Sequence, residues 1–240
     1  MKDFPNSKRF IDAFNQIDYS LRVQHNFKRS MGFSDMIRRA VSINHIVRKY
    51  EEVLIDYSRL RNAIVHGSTG EEAIAEPHDD IVAKIEHLAK IISTPPKALD
   101  VLSEKTVMTV SYDLCVKEVI KTISTTKFSN LPVYKDGSLI GVANGQKILD
   151  VLGKQLVLGI DANDFLEKTQ IEDVVKQSVD AVYYIVLDCN VTVDQVLAEF
   201  LANRKLLAII VTKTGTMNEP PLGIITSTDY MELNKILERY

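Results

Sequence analysis

Two short stretches of the chain bring together side chains that could do chemistry. The first, LRNAIVHG, covers residues 60–67 and contains Arg61, Asn62 and His66. A histidine titrates near neutral pH and can act as a base, and a guanidinium can stabilise charge that develops on a phosphorus centre. In a helix, Asn62 and His66 share one face because they are four residues apart. Arg61 lies about 140° around the helix from His66 and converges on it only if the last turn loosens at Gly67.

The same residues also fit an ordinary helix end. His66 directly precedes Gly67, and glycine is the preferred residue just beyond a helix C-terminus. A histidine there complements the negative end of the helix dipole, and Asn62 can simply hydrogen-bond to it. The stretch is therefore either a catalytic constellation or a basic helix end.

The second stretch, GIITSTD, covers residues 223–229. Its glycine and two isoleucines predict a buried strand, and the polar residues that follow predict a turn into a helix. Hydroxyl groups and unpaired backbone N–H groups at a helix N-terminus suit a phosphate. The carboxylate of Asp229 can accept hydrogen bonds from both hydroxyls of a ribose. The structural alternative is that Thr228 is an N-cap and Asp229 is a first-turn acid.

A similar stretch, GVANGQK, covers residues 141–147 but carries different side chains. Asn144, Gln146 and Lys147 stand at the positions that hold two hydroxyls and the carboxylate in the later stretch. A lysine cannot accept hydrogen bonds from ribose hydroxyls. We therefore expect this earlier site either to lack a nucleoside or to bind an anion through Lys147.

Helical periodicity positions the first stretch. Asp79 and Asp80 after Pro77 suit a helix start, whereas Pro95-Pro96 suits a helix stop and a domain boundary. The pattern predicts a four-helix bundle over residues 1–94. The apolar residues of the four segments are Phe10, Phe14, Ile17 and Leu21; Ile37, Val41 and Ile46; Val53, Leu54, Tyr57, Leu60 and Ile64; and Ile81, Ile85, Leu88, Ile91 and Ile92.

A repeated pattern positions the second stretch. After Pro96 a helix is followed by two strands around an Asp136-Gly137 turn and by another helix, and the whole order then recurs. The spacing between the two copies grows from 77 to 82 positions across the hairpin, so the second hairpin loop carries an insertion. The sequence therefore predicts a β-α-β-β-α order that occurs twice. We expect the equivalent helices to turn inward Val116, Val119, Ile120 and Ile123, and Val193, Val196, Leu197 and Phe200.

The element order, LPVYKDGSLIGV and GIITSTD together resemble a tandem pair of CBS domains, also called a Bateman module, over residues 97–240. The resemblance implies two repeats, 97–158 and 171–240, with two clefts between them that in the family bind adenine nucleotides or related ligands. It also implies that Asp229 holds the ribose, while Thr226 and Thr228 face the phosphates.

The same resemblance suggests where the base would lie. We expect contacts to the base from the start of the second repeat, around Val182, Tyr183 and Tyr184. A tyrosine can stack on adenine, and it can equally belong to the core.

LRNAIVHG at the end of the third predicted helix, and FSDMIRRAVSI at 33–43, resemble the motif and the second helix of HEPN domains. These domains are four-helix bundles that dimerise with their motif helices facing each other. Many are metal-independent ribonucleases, and others only dimerise or bind partners. The resemblance spans residues 1–94 and implies catalytic roles for Arg61, Asn62 and His66 if the chain is a ribonuclease.

Composition narrows the function classes. The chain has 240 residues and is 45% hydrophobic, which is enough for two cores. A net charge of −3 argues against a broad basic surface for nucleic acid. Two cysteines without metal-ligand spacing argue against a disulfide framework and a zinc site. The absence of an apolar leader and of a membrane-length apolar stretch predicts a cytoplasmic protein that does not engage a membrane.

The sequence thus predicts an α+β protein that senses an adenine nucleotide (AMP, ADP, ATP or a related ligand) and requires no cofactor or metal. The ligand would bias a helical dimerisation or effector domain within a homodimer. One alternative is a CBS-gated, metal-independent HEPN ribonuclease of toxin or defence type, the only reading in which RNA is a partner. Another is a dimerisation scaffold that binds no ligand.

Overall fold

The computed structural model describes residues 5–66, 75–102, 107–177 and 182–239. Helices and strands alternate through the chain after a purely helical first part. The helices are α1 (Pro5–Gln24), α2 (Phe33–Ala40), α3 (His45–Lys49), α4 (Glu51–His66), α5 (Asp79–Ser93), α6 (Ala98–Val101), α7 (Val116–Thr126), α8 (Gly145–Val157), α9 (Ala162–Lys168), α10 (Ile171–Lys176), α11 (Val193–Ala202) and α12 (Tyr230–Arg239). The strands are β1 (Val110–Ser111), β2 (Asn130–Lys135), β3 (Ser138–Asn144), β4 (Tyr184–Asp188), β5 (Ala208–Thr212) and β6 (Gly223–Thr226).

The chain divides into two compact units. The first consists of Met1–Pro96, Thr192–Ala198 and Asn234–Tyr240, and the second consists of Lys97–Val191 and Glu199–Leu233. The first interruption falls at Pro96, where the proline pair predicts a boundary. The predicted repeat limits, 97–158 and 171–240, stay predictions.

In the first unit, α1 packs against α5 and α4, and α2 packs against α4. Phe10 and Tyr57 meet edge to face with ring centroids 5.5 Å apart, and Phe14 lies against Phe33 at 4.4 Å. These contacts bury aromatic surface between the helices of this unit. Helix α5 begins at Asp79 and ends at Ser93, so the predicted start and stop signals are confirmed.

The second predicted helix is wrong in one respect, because it is two short helices. Val41 follows the end of α2, and Asn44 begins α3 by accepting the backbone N–H of Val47 on its side chain at 2.9 Å. The buried carboxylate of Asp194 accepts the next free N–H, from Ile46, at 2.8 Å. With these acceptors in place a new helix starts at His45. Within residues 5–66 and 75–93, the structure therefore has five helices where the pattern predicts four.

The second unit holds two sheets with identical topology. Strand β1 pairs parallel to β2, which pairs antiparallel to β3; strand β4 pairs parallel to β5, which pairs antiparallel to β6. Asp136 and Gly137 form the first hairpin turn with φ of 49° and 80°. Such left-handed values at both turn positions suit the right-handed twist of the strands they connect. The twofold β-α-β-β-α order and its hairpin turn are confirmed.

Side-chain burial on the two equivalent helices follows the prediction with one exception. Val116 and Val119 of α7 are buried, Ile123 is half-buried against the same core, and all four predicted residues of α11 are buried. Ile120 is 38% exposed, and its predicted inward position is wrong. Val53 in α4 is likewise 38% exposed. In both cases helical spacing predicted a wider buried face than the structure has. The width of the buried face depends on the neighbouring elements that pack against the helix.

A short helix precedes each repeat and packs against a glycine on a strand. Val175 of α10 lies so close to Gly141 of β3 that a Cβ on this glycine would be 2.7 Å from the Val175 Cβ. Leu99 of α6 covers Gly223 of β6 in the same way, with its Cδ2 at 2.5 Å from such a Cβ. Backbone hydrogen bonds fix both short helices: Ile171 donates to Leu114 at 2.9 Å, and Ala98 donates to Val191 at 2.9 Å.

No helix in the described parts of the chain is long and apolar enough to cross a membrane.

We expect Gly141→Ala to lower the free energy of unfolding by about 1–3 kcal/mol, because the added methyl group overlaps the branched carbon of Val175. Gly153→Ala is the matched control: this glycine lies inside α8 with nothing near its Cβ position, so alanine should raise stability by about 0.5–1 kcal/mol. Urea unfolding of both variants measures the difference. A neutral or stabilising Gly141→Ala would contradict the close packing.

Candidate functional site

Two clefts in the second unit contain the predicted site residues, and we name each by one of its lining side chains. The Asp229 cleft is lined by Met108, Lys127, Phe128, Ser129, Asn130, Ile224, Thr226, Thr228 and Asp229. The Lys147 cleft is lined by Ile140, Gly141, Val142, Lys147, Val175, Lys176, Val182, Tyr183, Tyr184 and Met217.

Local structure positions the three polar residues of the Asp229 cleft. Strand β6 ends at Thr226, residues Ser227–Asp229 form a single 3₁₀ turn, and α12 begins at Tyr230. The carboxylate of Asp229 is buried, and its Oδ2 accepts both the backbone N–H of Thr226 at 2.8 Å and the Thr226 hydroxyl at 3.0 Å. The two threonine hydroxyls are 2.7 Å apart. Since Thr226 gives its proton to Asp229, Thr228 is the donor between them.

The purely structural role considered for these residues, in which Asp229 is a first-turn acid of a helix, is thus partly confirmed. Asp229 closes the turn at the start of α12, where a carboxylate also meets the positive end of the helix dipole. This role does not compete with ligand binding, because a carboxylate has about four lone-pair sites. The turn instead holds the carboxylate in one orientation at the cleft wall.

The opposite wall contributes residues that the sequence pattern does not single out. Helix α7 ends at Thr126, and the capping residue Lys127 adopts a left-handed φ of 63° and turns the chain toward β2. Phe128 follows and is 44% exposed, although it is one of the largest apolar side chains. Two hydrogen bonds fix Ser129 and Asn130, because the Asn144 side chain donates to the Ser129 carbonyl at 3.2 Å and to the Asn130 Oδ1 at 2.8 Å. The only signal in the sequence was a phenylalanine placed between a predicted helix and a predicted strand.

The Asp229 cleft therefore presents complementary groups within one concave surface. It combines a fixed carboxylate with hydroxyls, an ammonium group on Lys127 and an exposed aromatic ring on Phe128. A carboxylate accepts from a diol, an ammonium group pairs with a phosphate, and an aromatic ring stacks on a planar base. The empty space of the cleft is about 600 Å³, including its solvent-filled mouth.

Tyr183 and Tyr184 lie elsewhere. The structure does not bring them to Asp229; they line the Lys147 cleft, next to residues of the first repeat. The ammonium group of Lys147 lies over the ring of Tyr183, 2.8 Å from its centroid. Lys147 is 8% exposed, and this burial lowers its pKa to about 8, while nearby Asp150 opposes the shift. The position equivalent to Asp229 thus carries opposite charge in the other cleft.

The stretch around Arg61 lies in the first unit at the end of α4. Arg61 donates through Nη1 to the Asn62 side chain at 3.3 Å, so the two residues interact on the helix surface. The Nε of Arg61 is buried and has no hydrogen-bond partner within the described residues. His66 is the last residue of α4, and its side chain lies outside the described residues. Its predicted approach to Arg61 and Asn62 stays a prediction.

The sequence matches no protein-family model. No curated protein shows significant similarity to it. Solved structures that are similar to part of this chain include several CBS domains. One is the CBS domain of a CBS-domain-containing membrane protein from Sphaerobacter thermophilus, 20% identical with a TM-score of 0.44 over 58% of this chain and 88% of that chain.

Two further solved structures give similar values. The CBS-domain-containing protein ATU1752 from Agrobacterium tumefaciens is 18% identical, with a TM-score of 0.44 over 57% of this chain and 98% of that chain. CBSX2, solved in complex with AMP, is 15% identical, with a TM-score of 0.45 over 60% of this chain and 99% of that chain. At these values the ligand of the present chain has to follow from its own residues.

We expect Asp229→Ala to lower the free energy of unfolding by about 1–2 kcal/mol, because the backbone N–H and hydroxyl of Thr226 lose their acceptor. Asp229→Asn keeps an acceptor oxygen of the same reach and should lose less than half as much. Urea unfolding of the two variants beside the wild type makes the comparison. Equal stability of all three would show that the turn does not depend on this side chain.

Proposed function

We propose that the Asp229 cleft binds an adenine nucleotide and that the chain is a nucleotide-sensing regulatory protein. The observation that carries this proposal is the fixed carboxylate of Asp229 in the same cleft as Lys127 and Phe128. In this arrangement Asp229 accepts the ribose hydroxyls, Lys127 and the hydroxyls of Thr226 and Thr228 face the phosphates, and Phe128 offers a surface to the base. The family resemblance of GIITSTD supports the same assignment.

The base contacts in this proposal differ from the sequence expectation. Tyr183 and Tyr184 line the other cleft, so they do not serve a nucleotide held by Asp229. Phe128, Met108 and Ile224 are the apolar side chains that line the Asp229 cleft. They take over the contact to the base, since flat apolar surface stabilises a purine through stacking and dispersion.

In this proposal helix α12 connects nucleotide binding to regulation, because Asp229 precedes its first residue and its later residues contact α3. Asp229 directly precedes this helix, and the second half of the helix belongs to the first unit. Within that unit the side chain of Asn234 contacts His45 at 3.3 Å, and Glu238 pairs with Lys49 at 2.7 Å. A nucleotide that binds one position of the N-terminal turn of α12 better than another shifts the population of these α3 contacts.

The proposal predicts that AMP, ADP or ATP binds wild-type protein and that Asp229→Asn weakens binding by about 5- to 150-fold, the equivalent of ~1–3 kcal/mol. A sharper readout is the ratio of affinities for AMP and 2′-deoxy-AMP. Wild type should prefer the ribose form because the carboxylate accepts from the 2′-hydroxyl, and Asp229→Asn should lose that preference. Calorimetry measures both quantities.

The matched control is Asp173→Asn, which removes an exposed carboxylate from α10 and should leave both quantities unchanged. Lys127→Met should weaken AMP more than adenosine, because only AMP carries the phosphate. Two results would contradict the assignment of the Asp229 cleft as a nucleotide site. One is a wild-type protein that binds no adenine nucleotide, and the other is an Asp229→Asn variant with wild-type affinity and ribose preference.

A second candidate function, metal-independent RNA cleavage, has one observation in its favour. Arg61 and Asn62 interact at the end of α4, where a histidine four residues beyond Asn62 ends the helix. Arg61 is only half-buried, and a guanidinium there can reach a phosphate. By resemblance to HEPN domains, such a site requires two chains with facing motif helices, so this candidate also requires a homodimer.

This candidate predicts that the purified protein cleaves a mixed RNA pool in the presence of a metal chelator, with a rate that changes on adding AMP or ATP. His66→Ala and Arg61→Ala should each abolish cleavage, whereas His78→Ala, at an exposed position before α5, should not. Light scattering should give the mass of a dimer. Intact RNA under every ligand condition would remove the ribonuclease and leave nucleotide sensing as the function.

A further inference from the structure

The Lys147 cleft is built differently from the Asp229 cleft, although the two occupy equivalent places in the repeat. The difference begins with the longer second hairpin loop, which follows β5 and ends before β6. The carbonyl of Met217 in this loop accepts the Leu139 N–H of β3 at 2.8 Å, and the Asn218 side chain accepts from Ser138 at 2.9 Å. Tyr134 donates to the Glu219 carbonyl at 3.0 Å. These contacts fix the loop over β3 and place Met217 in the cleft wall.

The charged group of this cleft is a buried ammonium without a matching carboxylate. Lys147 is 8% exposed, and no carboxylate of the described residues lies within ion-pair distance of its Nζ. The Tyr183 ring, 2.8 Å away, is the group that faces it. A cation over an aromatic ring gains less free energy than it costs to take an ammonium group out of water. The ammonium of Lys147 therefore remains short of negative charge.

A second lysine strengthens this positive character. Lys176 of α10 also lines the cleft, and its partner Glu172, 2.6 Å away, is shared with Lys135 at 3.0 Å. One carboxylate thus faces two ammonium groups, which keeps the pKa of Glu172 below its usual range. None of the described lining residues carries a carboxylate, so the cleft lacks the acceptor that a ribose needs.

We propose that the Lys147 cleft is an anion site, which takes a phosphate or carboxylate group on Lys147 and needs no ribose. The anion supplies the negative charge that the buried ammonium lacks, and Lys176 adds a second donor at the rim. The apolar wall of Val142, Tyr184 and Met217 accepts the uncharged part of an organic anion. The chain then carries two sites of unlike chemistry, so an anionic effector and a nucleotide need not compete.

The test uses inorganic pyrophosphate as the phosphate probe and malonate as the carboxylate probe, titrated by calorimetry into the full-length Lys127→Met variant. This background removes the ammonium group that would attract an anion to the Asp229 cleft, so the remaining anion binding reports on the Lys147 cleft. At least one probe should bind, and adding Lys147→Met should weaken it tenfold or more. Lys147→Arg should retain binding because it keeps the charge. Lys154→Met is the control, since Lys154 is exposed on the same helix and does not line the cleft.

A second readout separates the charge of Lys147 from its shape. With a pKa of about 8, Lys147 is mostly protonated at pH 7 and mostly neutral at pH 9. The affinity for malonate, whose charge is constant over this range, should therefore fall about tenfold between these pH values, and Lys147→Arg should abolish the fall. The other ionisable groups near the ammonium are Asp150 on α8, Lys176 on α10, and Tyr183 and Tyr184 at the start of β4.

The outcomes are distinct from those of the nucleotide proposal. Probe binding that depends on Lys147, in a protein that binds no nucleotide, leaves the anion site standing and removes the nucleotide site. Lack of binding by both probes, or binding that Lys147→Met leaves unchanged in a folded variant, overturns the anion site. In that case Lys147 only fills its own cleft against Tyr183. Thermal unfolding of Lys147→Met confirms that the variant is folded.

Discussion

The arrangement of the second unit depends on one steric constraint, the close approach of a short helix to a glycine on a strand. Gly141 leaves room for Val175, and the same relation recurs between Gly223 and Leu99. In each case the short helix comes from the segment before one repeat and packs on the sheet of the other. This exchange connects the two repeats, because each short helix packs on the sheet of the other repeat. Backbone hydrogen bonds at Ile171 and Ala98 fix the exchange.

The chemistry of the two clefts depends on single residues at equivalent places in the repeat. Where the later repeat has Asp229, the earlier one has Lys147. A carboxylate in a polar turn and an ammonium under an aromatic ring favour ligands of opposite character. The two repeats therefore share the close helix–glycine packing but differ in the charge at equivalent cleft positions.

Helix starts place the polar groups in both clefts. In the later repeat the Thr226–Asp229 turn begins α12, and in the earlier repeat Asn144 begins α8 by accepting the Gln146 N–H at 2.9 Å. Asn144 also holds Ser129 and Asn130, which belong to the Asp229 cleft. One cap therefore serves its own helix and the wall of the other cleft. In the proposed function, a ligand on Asp229 would contact the turn that begins α12.

Local signals in the sequence determined the elements, and several held. The Asp136-Gly137 turn, the proline stop after α5 and the twofold strand–helix order all follow from preferences that act within a few residues. The contrast between Asp229 and Lys147 was also visible, because the repeat aligns the two positions. The sequence therefore determined the order of the elements and many of their ends. It also determined that the equivalent cleft positions of the two repeats carry opposite charges, on Asp229 and Lys147. Tyr183 shows the limit, since its residue type suggests a stacking role but not which cleft it faces.

Tertiary structure alone decided which residues meet. Phe128 and Lys127 join Asp229 across the Asp229 cleft although about 100 positions separate them in the chain, and Tyr183 joins Lys147 instead of Asp229. The break before α3 has the same origin, because the carboxylate of Asp194 that accepts the Ile46 N–H comes from 148 residues away. The physical reason is that periodicity and turn preferences are local energies. The lining of a cleft depends on packing between segments that are distant in the chain, and a local pattern does not show which of these segments contact each other.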